Sequence, residues 1–179
     1  MTQRADLSQV AEVVKEVRGR QLPRYPTYKP SGVQWLEDIP ESWSVERLRF
    51  VAGINPTKSE IRHLTTDDEV SFVPMEALHE YGGMSLDQTR LLGQVEQGYT
   101  YFNEGDIVIA KITPCFENGK GSVAVGLVNG IGFGTTELHV LRAKERLHRD
   151  YLFYLTVCHS FRKNGTAEMY GAGGQKRVP

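Results

Sequence analysis

The chain has 179 residues, 40% hydrophobic and 24% charged, the proportions of a globular protein rather than of a disordered one. At roughly 100 to 200 residues per domain, that length holds one domain with an appendage. No apolar run nears the roughly 18 residues that span a bilayer, Met1 to Asp6 lacks the apolar stretch of a signal peptide, and Cys115 and Cys158 cannot make a disulfide framework, so a cytoplasmic, reduced protein with no membrane partner is expected.

The net charge of -1 hides a division along the chain. Residues 1 to 60 carry nine basic and eight acidic side chains, residues 61 to 110 two and nine, and residues 111 to 179 ten and five. Such an asymmetry points to one face for a polyanion and another for solvent or protein.

In chain order, Leu7, Val10, Ala11, Val14 and Val17 follow helical spacing, which predicts an amphipathic helix within residues 1 to 22 whose stripe docks on its own domain or on a partner. Pro23, Pro26 and Pro30 then remove backbone donors and bias their predecessors to extended geometry, predicting a semi-rigid connector over 23 to 34. A single domain is expected over 35 to 170. Short β-leaning runs at 47–52, 70–73, 106–112, 122–128 and 137–142 are punctuated by glycines, fifteen of the 18 lying at or after Gly82. A helix is predicted from about Asp150 to Lys163, with Asn164-Gly165 as its stop. Strands with helices packed on them make an α+β fold with a small mixed or antiparallel sheet. Phe116, Phe133, Trp35 and Trp43 are assigned to its core.

Catalytic signatures fail one by one on mechanism. Asn55-Pro56-Thr57-Lys58 lacks the second proline and the aromatic that an amino-methyltransferase uses to hold a flipped base. The glycines of Gly130-Ile-Gly-Phe-Gly134 are mis-spaced for a dinucleotide loop, and Asn118-Gly-Lys-Gly-Ser122 lacks the hydroxyl directly after lysine that holds Mg²⁺. In Asp106-Ile-Val-Ile-Ala-Lys111 the second metal-binding carboxylate of a nuclease is replaced by Ile109. The two cysteines and five histidines are not at ligand spacing. No catalytic residue, metal site or cofactor site is expected.

Four colinear blocks point elsewhere. Tyr25 to Arg49 (YPTYKPSGVQWLEDIPESWSVERLR) resembles the start of specificity subunits of type I restriction-modification systems. Gly105 to Gly121 and Gly130 to Arg142 are similar to the body of their target recognition domains, and Gly171 to Pro179 to the junction with a helical spacer. The resemblance implies a non-enzymatic reader of double-stranded DNA, one of two such domains that each read half of a bipartite site. It implies modification subunits that bind S-adenosylmethionine and methylate adenine, and a restriction subunit that uses ATP and Mg²⁺, with no cofactor on this chain. One domain with only the start of a spacer, at 171 to 179, corresponds to the N-terminal half of such a subunit. A half-subunit that pairs with a second copy and a piece of a longer subunit both remain open. So do two rivals: a recognition segment of a fused methyltransferase-nuclease, and a protein-binding adaptor.

The residues themselves suit a DNA reader, which needs cations for phosphates and amide, hydroxyl or guanidinium groups for base edges. Lys111, Thr113, Asn118 and Lys120 supply these in a strand followed by a Gly/Pro turn. Thr135 and Thr136 add hydroxyls where the next strand begins, although turn chemistry explains them equally well. Gln175, Lys176 and Arg177 follow a glycine pair, as a DNA contact or as a solvated exit from the domain. The acidic run Asp67-Asp68-Glu69 is expected to face away from DNA.

Overall fold

A computed structural model describes residues 23–172 and 174–179, so the predicted N-terminal helix lies outside the described residues. The chain divides into two compact units between Val45 and Glu46.

In the first unit the expected connector becomes strand from Tyr28 onward. β1 (Tyr28–Val33) and β2 (Leu36–Pro40) form an antiparallel hairpin in which Val33 faces Leu36 across a turn of Gln34 and Trp35. Pro30 is tolerated because both strands of a two-stranded ribbon are edges, where a missing N–H need cost no ladder bond. Trp35 and Trp43 are not core residues: they are 49% and 41% exposed. Trp35 occupies the hairpin turn, and Trp43 packs edge-on against Tyr25 with ring centroids 5.8 Å apart.

The second unit holds two four-stranded sheets. β3 (Ala52–Ile54), β10 (Leu138–Ala143), β7 (Ile107–Ala110) and β8 (Gly121–Val123) lie in that order, all antiparallel. β5 (Thr89–Leu91), β4 (Glu69–Val73), β9 (Ile131–Gly134) and β6 (Thr100–Asn103) make the other, in which β4 and β9 run parallel. The mixed α+β class expected from the patterning is the observed one. Val73 and Phe102 of one sheet pack with Val108, Leu138 and Val140 of the other in a single buried cluster. Each such side chain contributes about 1.5 to 3 kcal/mol by leaving water. Phe116 and Phe133 are buried as expected.

Three local expectations are corrected. The predicted strand 47–52 is a one-turn helix, α1 (Leu48–Val51), and only Ala52 to Ile54 find a strand partner, in β10. The run 122–128 ends at Val123, and Gly126 turns the chain at φ +83. Besides the short α2 (Leu92–Val95), the single C-terminal helix is two: α3 (Arg149–Val157) and α4 (His159–Ala167). They break at Cys158, whose ψ of 151 is extended and whose sulfur accepts the Phe161 N–H at 3.5 Å, capping α4. Gly165 is no stop. The helix continues through it, and glycine is required there by packing, since a Cβ would meet the Phe116 Cζ at 2.4 Å.

Candidate nucleic-acid interface

Strand pairing decides which loops meet. Leu138 faces Ala110, Thr100 faces Gly134 and Val73 faces Gly134, so the end of β4, the start of β6, the end of β7 and the turn between β9 and β10 gather at one end of the sheets. The end of β3 arrives there too, since Asn55 N–H donates to the Val140 carbonyl at 2.8 Å. The C-terminal segment returns to the same end: Thr113 N–H donates to the Lys176 carbonyl and Val178 N–H to the Lys111 carbonyl, both at 2.9 Å. Residues more than 60 positions apart in sequence thus share one rim.

Within it a cleft of about 310 Å³ is lined by Asn55, Pro56, Thr57, Lys58, Thr100, Tyr101, Lys111, Thr136 and Leu138. Lys111 is half-buried, and its ammonium has no ion-pair or hydrogen-bond partner among the described residues. Lys58 donates to the Glu96 carbonyl and sits 5.6 Å from the centroid of the Phe133 ring. Two ammonium groups among hydroxyls and an amide suit an anionic oxygen or the acceptor edge of a base.

The wall of the cleft is held from behind. Asn55 adopts φ 49, a left-handed conformation that asparagine tolerates. Its Oδ1 accepts the Val140 N–H at 2.9 Å, so Nδ2 turns to His139 Nδ1 at 3.4 Å. His139 Nδ1 is then the acceptor, and Nε2 donates to the Val178 carbonyl at 3.2 Å. Burial, followed by the nearby Lys111 charge, lowers the His139 pKa against the raising effect of that carbonyl.

Of the nine expected DNA-binding residues, Lys111 and Thr136 line this cleft, and Gln175 and Lys176 are exposed beside the Lys111 strand. The others spend polar groups internally. Arg177 pairs with Glu137 at 2.7 Å, and Thr113 donates to Glu117 Oε1 at 3.0 Å. Thr135 Oγ1 accepts the Glu137 N–H at 3.2 Å, the turn-forming role weighed for it from sequence. Asn118 donates to Glu80 Oε1 at 3.0 Å and Lys120 to the Met75 carbonyl at 3.2 Å, on the part of the rim where Glu80 bridges Lys120.

Sequence reasoning missed the Asn55 to Lys58 loop. Its usable signal was a lysine and two hydrogen-bonding side chains around a proline, set aside because they failed a methyltransferase pattern.

The other end of the strands gathers several acids. Asp68 and Glu69 sit where β4 begins, and Glu104 and Asp106 lie in the turn between β6 and β7. Asp68 accepts the Thr65 N–H and hydroxyl at 2.6 and 3.0 Å, bonds that lower its pKa and keep it ionised. Glu104 accepts the N–H groups of Gly126 and Leu127 at 2.9 and 3.0 Å. Asp106 is 1% exposed and pairs with Arg142 at 2.6 Å. These acids lie at the opposite end of the strands from Lys111, where Arg142 and, beside Gly105, Arg149 accompany them, while Glu80, Glu117 and Glu137 stand on the rim, so each end carries both signs.

No family model matches the chain. It is 40% identical over 171 residues to the type I restriction enzyme EcoAI specificity subunit of Escherichia coli, covering 94% of this chain and 28% of that protein. The EcoEI specificity subunit of Escherichia coli is likewise 40% identical, over 172 residues, with the same coverage of 94% and 28%. The chain therefore spans little more than a quarter of the length of these relatives. The crystal structure of the HsdS subunit from Thermoanaerobacter tengcongensis shares the fold at a TM-score of 0.50 and 17% identity, over 85% of this chain and 36% of that one.

Proposed function

We propose that this chain, a homologue of the type I restriction enzyme specificity subunits, is a target recognition domain that binds double-stranded DNA sequence-specifically and catalyses nothing itself. The observation that carries the reading is the cleft at one end of the sheets, where Lys58 and Lys111 stand among an amide and several hydroxyls. Lys111 and Lys176 neutralise phosphates and set the register, while Gln175 and Thr136 offer groups that reach base edges. Modification subunits supply the S-adenosylmethionine-dependent methylation and a restriction subunit the ATP- and Mg²⁺-dependent cleavage. The opposite end is left to solvent or to these subunits. The domain is one reader of a specificity subunit, and a second reader, from a longer chain or a second copy, completes the bipartite site in the cytoplasm.

The test is selection of duplexes from a randomised pool by the chain, alone and with its modification subunit, at several salt concentrations. A recurring half-site, bound with an affinity that falls linearly on logarithmic axes as salt rises, is expected. Retention with no sequence enrichment, or no salt-dependent retention, refutes the reading.

A further inference from the structure

Beyond the cleft, the rim carries a tyrosine in a conformation that its own chemistry resists. Tyr81 has φ 58. Among the described non-glycine residues only Asn55 and Asn129 share a positive φ, and asparagine tolerates that region where a bulky aromatic does not. The strain serves no core, for Tyr81 is 58% exposed.

The surroundings hold the ring out. The Tyr81 N–H donates to the Gly119 carbonyl at 2.9 Å, tying its loop to the turn that carries Asn118 and Lys120. Gly119 has φ 72 and no side chain, and a Cβ there would meet Tyr81 Cε1 at 3.4 Å, so the ring lies over bare backbone. The Arg162 guanidinium stands 5.0 Å from the ring centroid. Arg162 is itself fixed, donating through Nε to the Val157 carbonyl at 3.1 Å and through Nη1 to the Glu117 carbonyl at 2.7 Å. A strained backbone, a glycine platform and a locked cation present one exposed aromatic in one pose.

We infer that Tyr81 is a DNA-contacting residue that packs its ring against a base or deoxyribose of the bound duplex. This rests on the DNA-binding reading above and adds a contact made by ring surface rather than by charge. Strain kept at an exposed residue fits a functional contact better than a structural one. The position favours DNA over protein, because the Tyr81 N–H ties its loop to the Gly119 turn on the same rim that holds the Lys111 cleft. A ring fixed before binding surrenders little entropy on contact.

Tyr81→Asn and Tyr81→Phe in the full chain test this, with a duplex that the wild-type chain enriches from a randomised pool as probe. Asparagine accepts the left-handed backbone and removes the ring, so it should melt no lower than wild type yet bind about tenfold more weakly. The slope of log affinity against log salt should not change, because no phosphate contact is lost. Tyr81→Phe should bind as wild type. Wild-type affinity in Tyr81→Asn, equal loss in Tyr81→Phe, a changed salt slope, or weakened binding with a lowered melting temperature each overturn the inference while leaving the DNA-binding reading intact. Loss of a partner subunit with DNA affinity unchanged also overturns it, assigning the ring to a protein contact. A wild-type chain that enriches no duplex overturns both.

Discussion

Arg177 closes a double hydrogen bond on Glu137, Nε to Oε2 at 2.8 Å and Nη2 to Oε1 at 2.7 Å. That bond is the main cause of the lowered Glu137 pKa, so the carboxylate stays charged on a rim proposed to face phosphates. Arg177 therefore masks an acid as well as offering a cation.

Arg177→Ala should accordingly weaken DNA binding by more than one lost contact, because it uncovers Glu137. Adding Glu137→Gln should recover most of the affinity. Duplex titrations of the wild type, the single and the double variant at one salt concentration decide this. A double variant as weak as the single one would mean that Arg177 touches DNA itself.

The cations of the rim should differ in what they contribute. Lys111 makes no hydrogen bond or ion pair through its ammonium among the described residues, although its charge reaches Glu137, whereas Lys120 is committed to the Met75 carbonyl. Each phosphate neutralised on duplex DNA adds about 0.9 to the slope of log affinity against log salt. Lys111→Ala should lower that slope by about one and weaken selected and scrambled duplexes alike. Lys120→Ala should leave the slope nearly unchanged and act through the turn it braces. The reverse pattern would move the phosphate contact from the cleft to the turn.

What could be read from sequence follows the range of the interactions involved. The run Ile107 to Ala110 is buried throughout and reads as a core strand from its own residues, with Lys111 emerging where the strand ends. The break at Cys158 and the exposure of Trp35 were not legible, because both hang on local geometry that propensity averages away. The cleft was half legible. Lys111 and Thr136 declared themselves by type and position, but Asn55 to Lys58 reach the same cleft only through pairing of Asn55 with Val140, 85 positions on. Tyr81 carries no signal in composition, since its strain exists only once Gly119 and Arg162 lie beside it.

At the end of the strands away from Lys111, Arg142 binds Asp106 through Nε and Nη2 at 2.6 and 2.7 Å and Glu60 through Nη1 at 2.6 Å. Asp106 also accepts the Asn103 N–H at 2.7 Å, bracing the turn between β6 and β7. Asp106 is the main reason the Arg142 pKa lies above its usual range. Removing one partner of a buried pair costs about 3 to 5 kcal/mol, and the partial exposure of Arg142 sets the lower figure here. Asp106→Ala should therefore lose about 3 kcal/mol in urea unfolding, with duplex affinity unchanged under native conditions because the network lies at the far end of the strands. A loss of affinity in the folded variant would contradict that separation.

His139 makes stability depend on pH through the same structure that shapes the cleft. Its Nδ1 faces Asn55, its Nε2 the Val178 carbonyl, and Lys111 is the neighbouring charge. Burial lowers its pKa below the ordinary histidine value of about 6.5, so the unfolded chain binds this proton more readily than the folded one. The contribution is complete above that value and is lost as pH falls from it toward the lowered folded pKa. Protonation would also turn Nδ1 from acceptor to donor against the Asn55 amide and set a second cation beside Lys111. His139→Gln should remove this component. The difference in urea midpoint between wild type and variant should be constant above about pH 7 and shift toward the variant as pH falls to about 5. A difference that stays level across that range would show that His139 titrates in the fold as it does in the unfolded chain.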